Sequence, residues 1–155
     1  LSLDYSQEIG IFLMVYSNLT NFNTAINNAV QAGEIKPSDR PNYFTAGSDL
    51  LDCGLYISGR FNIINISGWF TVNRASNNAF DIFHILTLNF QHYGRIYSLC
   101  LKTTNAREVY VIENNWFADA TNPNGILLWC DGLNNIVAGD NFTFSITIPI
   151  SVWIN

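Results

Sequence analysis

Asn141-Phe142-Thr143-Phe144-Ser145-Ile146-Thr147-Ile148-Pro149-Ile150 alternates without a break. Phe142, Phe144, Ile146, Ile148 and Ile150 share one parity; Asn141, Thr143, Ser145 and Thr147 share the other. Successive side chains of a strand point to opposite faces, so a period of two predicts a strand with one apolar and one polar face. Ala138-Gly139-Asp140, just ahead of it, has the composition of a tight turn.

Working upstream, the same signal recurs. Ile126–Cys130 is an apolar strand candidate running into Asp131-Gly132, a hairpin signal. Tyr110 and Ile112 alternate against Val109 and Val111, and Tyr97, Leu99 and Leu101 alternate again. The run 80–90 is apolar on both parities in places, which predicts a strand covered on both faces. Leu55, Ile57, Phe61 and Ile63 share one parity, whereas Ile64, Ile66, Phe70 and Val72 share the other. That switch predicts a bulge or turn near residue 63. Ile11–Tyr16 is a further short strand candidate. Between it and the Pro37/Pro41 loop lies the one helical pattern, over 20–32: Phe22, Ile26 and Ala29/Val30 recur at four-residue spacing. Thr20 or Asn21 is the expected N-cap and Gly33 the stop.

Short strands at roughly ten-residue spacing, with turn residues between them, predict an all-β fold. The expected architecture is an antiparallel jelly roll or β-barrel/sandwich head with one short N-terminal helix. Without a repeat, linker or low-complexity tract, residues 1–155 are expected to form a single β-rich domain.

Composition narrows the partners. Apolar residues make up 48% and charged residues only 12%, so the chain can fill a core and is unlike disordered sequences. A formal charge of −5 with 7 scattered Lys and Arg argues against nucleic acid, which needs clustered cations. Polarity comes instead from 21 asparagines. Amides carry donors and acceptors together and suit neutral polar ligands such as sugars. The longest apolar run is far below the roughly 20 residues of a spanning helix, so membrane insertion is not expected. Cys53, Cys100 and Cys130 are odd in number and cannot all pair within the chain; all three are expected to be buried free thiols, in keeping with folding in a reducing cytosol. Leu1-Ser2-Leu3-Asp4 has the look of a cut through a longer chain.

No motif for chemistry emerges. His84 and His92 stand eight apart without a helical zinc motif, and His84 shares a face with Ile82 and Leu86 as a core or interface histidine would. There is no Gly-x-Ser-x-Gly elbow, no Cys-x-x-Cys pair and no phosphate loop. Of the carboxylates a glycosidase would need, Asp131 and Asp140 fall in turns, where Asp is expected for backbone reasons, leaving Glu113 and Asp119. Neither an enzyme nor a cofactor is expected. Sequons at Asn18, Asn65 and Asn141 are no more than so many asparagines produce by chance.

Binding is the better expectation. Asn114, Asn115, Trp116 and Asp119 lie in a segment, 113–125, that reads as a loop yet carries aromatic residues. An aromatic ring packs on the apolar face of a sugar while amides and carboxylates satisfy its hydroxyls. The alternative for Trp116 is a cap over the core or a subunit contact. His92 and Arg95, in Gln91-His92-Tyr93-Gly94-Arg95, form a second candidate beside the simpler reading of a hairpin. Trp69, Trp129 and Trp153 are expected in the core or an interface.

The stretch Ile63-Ile64-Asn65-Ile66-Ser67-Gly68-Trp69-Phe70-Thr71-Val72 resembles an early strand of the head domains of phage tail receptor-binding and baseplate proteins. Gly125-Ile126-Leu127-Leu128-Trp129, Val137-Ala138-Gly139-Asp140-Asn141-Phe142-Thr143-Phe144 and Ile148-Pro149-Ile150 are similar to the closing hairpins of such heads. The likeness covers about two-thirds of the chain, from Gly59 onward, and the helix at 20–32 is not part of it. It implies a homotrimeric head at a viral tail or fibre tip, folded in the host cytoplasm, that binds host cell-surface saccharide. It supplies no binding residues. A stand-alone lectin-like module and a structural trimerisation cap without ligand remain the alternatives.

Overall fold

The computed structural model describes residues 12–24, 44–60, 63–88, 90–92, 96–115, 125–130 and 135–153. Strands hold 67% of it and helix 6%, which places the chain in the all-β class. The strands are β1 (Phe12–Tyr16), β2 (Phe44–Ala46), β3 (Leu50–Arg60), β4 (Ile63–Val72), β5 (Ile82–Leu88), β6 (Phe90–His92), β7 (Tyr97–Lys102), β8 (Glu108–Asn115), β9 (Gly125–Trp129) and β10 (Asn141–Trp153). They join in the order β1-β3-β4-β10-β7-β8-β9-β5-β2, with β6 pairing β10 off that path. Each pairing is antiparallel. The sheet curls into a half-barrel.

The strand that opened the sequence reading is the spine of this sheet. β10 pairs with β4 along nine residues, Asn141↔Thr71 to Pro149↔Ile63, and with β7 on its other side. Phe142, Phe144, Ile146 and Ile148 are buried as their parity predicts, and Thr143, Ser145 and Thr147 are exposed. The turn before it is present: Gly139 has φ +90°, a left-handed value that glycine adopts without strain, and Asp140 N donates to Val137 O.

The parity switch near residue 63 is a turn rather than a bulge. Arg60 pairs with Ile63, so the chain reverses between them and β3 and β4 form a long hairpin. β5 is covered on both sides, with Phe83, His84, Ile85 and Leu86 all buried. Among the described residues, the strands on either side of Asp131-Gly132 are not hairpin partners. β9 lies between β8 and β5 and does not pair with β10; the segment between them instead makes a bridge, Ile136 to Ser76. Asp131 and Gly132 themselves lie outside the described residues.

Helix α1 is described over 19–24. Its cap is Asn18 rather than Thr20 or Asn21: Asn18 Oδ1 accepts from Asn21 N at 2.8 Å and Asn18 O from Phe22 N at 2.9 Å. Gly33 lies outside the described residues. Phe22 points into the core, edge-on to Tyr16 at 5.2 Å. The core fills the concave side of the sheet, where Phe70 stacks on Phe142 at 5.1 Å and Tyr110 meets Phe142 edge-on at 5.5 Å. Cys53, Cys100 and Cys130 belong to it as free thiols.

Candidate functional site

The β3–β4 register sets Gly54 opposite Trp69 and Gly68 opposite Leu55. Trp69 belongs to the outer parity of β4, with Asn65, Ser67 and Thr71. Gly54 is on the same outer face and is nevertheless buried, because the Trp69 indole lies across it. A Cβ at position 54 would fall on the indole nitrogen and its neighbouring carbons. Gly68 has φ +135°, and a Cβ there would run into the carbonyl oxygen of Gly54. Two glycines thus let a large aromatic ring lie down on the strand beside it. Trp69 keeps partial exposure.

Beside the ring the sheet meets the start of α1. Trp69, Thr71, Leu51 and Asp52 from the sheet and Asn18, Leu19 and Thr20 from the helix entry line an open groove of about 710 Å³. Asp52 holds its two walls together: Oδ1 accepts from Leu19 N at 2.8 Å and from Cys53 N at 2.9 Å. The Thr71 hydroxyl donates to the Asp52 carbonyl at 3.4 Å. An aromatic surface, a carboxylate, an amide and two hydroxyls therefore border one groove, and among the described residues no Lys or Arg lines it. Such a set can stack on an apolar ring face and exchange hydrogen bonds with hydroxyls around its rim. Compared with known protein families, with curated proteins and with solved structures, the chain matches none of them.

Of the residues singled out from sequence, the described ones, Asn114, Asn115 and His92, do not line this groove. Asn114 is buried, and its carboxamide is used inside the fold: Oδ1 accepts from Ile96 N at 2.5 Å, while Asn114 N donates to Ile96 O. That pair fixes the entry to β7, so the Asn114 amide is a framework group. Asn115 closes β8 opposite Gly125, and His92 closes β6 opposite Ile150. Trp116, Asp119 and Arg95 lie outside the described residues. Trp69, expected in the core or an interface, is partly exposed on the outer face and lines the groove, which rules out the core reading. The signal for it was present in the chain: with a reversal between Arg60 and Ile63, position 54 must face position 69, and only a glycine there leaves room for the ring.

The other titratable clusters are spent on structure. Arg74 donates to Asp81 through both terminal nitrogens, to Asp49 through Nε at 2.8 Å and to the Ile82 carbonyl, with its guanidinium 3.8 Å above the Phe83 ring. These bonds from Arg74 hold the Asp81 carboxyl below its usual range. His84 contacts Leu86 O and the Thr87 hydroxyl through Nε2, each at 3.1 Å, and burial lowers its pKa. Lys102 is buried between Glu108 (3.3 Å) and Asp140 (4.0 Å) and donates to Asn135 O. Asp140 in turn accepts from Thr104, Asn105 and Val137 N. Glu113 Oε1 accepts from Trp129 Nε1 at 2.5 Å, well inside the fold. Burial pushes the thiols of Cys53 and Cys100 up to about 12 and that of Cys130 to about 11, far from the thiolate a nucleophile needs.

Proposed function

We propose that this domain is a non-catalytic attachment head that binds cell-surface saccharide at the Trp69 groove. The observation that carries the reading is the partly exposed indole packed against Gly54 beside Asp52, Asn18, Thr20 and Thr71. A ring packed against the backbone of the neighbouring strand is pre-organised, so stacking a sugar on it costs little ordering entropy. The non-catalytic part rests on the tasks of the described acids and bases, which clamp turns and strands instead of facing a common cleft.

The setting we assign, a phage-type tail or fibre tip on the virion, comes from the resemblance of Ile63–Val72 and the closing strands to receptor-binding heads. A homotrimer belongs to that reading. It is supported by the outer face of β7 and β8, where Leu99 is 71% and Tyr97 and Val109 are each 57% exposed. Apolar residues clustered on one stretch of a sheet's solvent face are typical of surfaces that another chain covers. A lectin-like module and a ligand-free trimerisation cap make different predictions in one experiment. The domain and its Trp69→Ala variant are applied to a glycan microarray, with solution molar mass measured for both. Glycan binding by a trimer, lost in Trp69→Ala with the trimer kept, is the expected result. A monomer that binds glycan assigns the lectin module, and a trimer that binds none assigns the structural cap.

A further inference from the structure

We infer that the groove takes a run of an uncharged polysaccharide, with one ring on Trp69 and the following rings along the outer face of β4. This rests on the saccharide reading above and adds its charge class and its length.

Charge comes first. Among the described residues, the groove is lined by one carboxylate, Asp52, and by no Lys or Arg. Arg74 and Lys102 are held elsewhere in ion pairs with Asp49 and Asp81, and with Glu108 and Asp140. With a formal charge of −5 on the chain, a sialylated or phosphate-bearing glycan meets repulsion and, among the described residues that line the groove, no counter-charge. A neutral sugar meets acceptors for its hydroxyl protons at Asp52 and at Asn18.

Length follows from what continues the surface. Two residues along β4 from Trp69 is Ser67, and two further is Asn65, positions roughly 7 and 14 Å away at strand spacing. Ser67 faces Tyr56 on β3 and Ser145 on β10; Asn65 faces Ser58 and Thr147. The Tyr56 ring is 47% exposed, a second aromatic surface one step from the first. Asn65 Nδ2 donates to the Thr147 hydroxyl at 3.0 Å, which fixes the amide on the outer face. Past Trp69, then, the described residues from Ser67 to Asn65 and their partners on β3 and β10 offer hydroxyls and an amide with one aromatic beside them, and no charged side chain. That is the surface a neutral chain of two or three more rings would lie on.

The test is a titration followed by NMR at the Trp69 indole N–H. The probes are dimers and hexamers of β-1,4-glucose, α-1,4-glucose and β-1,4-galactose, with sialyllactose and a glycerol-phosphate hexamer as anionic counterparts. A neutral hexamer is expected to bind at least tenfold tighter than its dimer. Tyr56→Ala is expected to weaken the hexamer and so to narrow that gain, and Trp69→Ala to weaken dimer and hexamer alike. Equal affinities for dimer and hexamer overturn the extended track. Tighter binding of an anionic probe, with the Trp69 resonance shifting, overturns the charge class and leaves the saccharide reading standing. An indole resonance unmoved by every probe overturns both.

Discussion

Trp69 and Gly54 act as one unit, since the ring has its place only while position 54 has no Cβ. Trp69→Ala removes the platform itself. Binding on a glycan array is expected to fall at least tenfold, the scale of losing a central aromatic anchor, with the circular dichroism of the sheet unchanged. Gly54→Ala should give the same loss by tilting the indole while Trp69 stays in the chain; retained affinity in Gly54→Ala would count against the packed-ring geometry. His84 sets a different expectation. Burial lowers its pKa, so the folded protein holds it neutral where the unfolded chain takes up a proton. Stability from this source is full above the unfolded value of about 6.5 and is lost as the pH falls from there to the lower folded-state value. The thermal midpoint should therefore drop between pH 7.5 and 5.5, and His84→Gln should flatten that dependence. An equally steep fall in His84→Gln would assign the pH response to other groups. Asp81, held down by its bonds from Arg74, contributes in the same direction at more acid pH.

Among the elements, β10 is legible because its period of two runs unbroken from Asn141 to Pro149, where Phe142, Phe144, Ile146 and Ile148 are buried as their parity predicts. β7 shows where legibility stops. Its alternation is plain, yet Tyr97 and Leu99 face out while Cys100 and Lys102 face in. Hydrophobicity alone would orient it the other way. What decides is the company kept by Lys102: Glu108 arrives from β8 and Asp140 from the turn before β10, and the ammonium is neutralised where the strand reaches them. Such partners are distant in sequence and invisible to a local pattern. Lys102→Met strands two carboxylates near the core, one of them fully buried, and is expected to cost about 3–5 kcal/mol in urea unfolding. A loss under about 1 kcal/mol would show that the network contributes little. The Asn114 amide was misjudged for a similar reason. An asparagine ahead of Trp116 looks like loop surface, but the strand continues through it and its carboxamide is needed by Ile96. Asn18 was hidden because Thr20 and Asn21 are equally good caps by type, and only the start of α1 chooses among them.

At the scale of the whole molecule, a single curled sheet divides the chain into faces with separate work. The concave side is core. The convex side is polar across β4 and β10, aromatic where Trp69 lies, and apolar over β7 and β8. The all-β class followed from spacing and turns, whereas the strand order, with β10 between β4 and β7, needs pairings that no local signal encodes. If the apolar stretch is a subunit contact, Leu99→Glu should convert a trimer to monomer in light scattering while leaving the Trp69 groove able to bind. A variant still trimeric at micromolar concentration would place the contact elsewhere. Saccharide binding is assigned to the polar half. Its most direct test is chemical-shift mapping of the isotope-labelled domain with whichever glycan the array selects. The account predicts shifts centred on the Trp69 indole, Gly54, Asp52, Thr71 and Asn18, fading along β4 towards Asn65. Shifts confined to β7–β8 or to the segment after β8, with the Trp69 indole still, would contradict it.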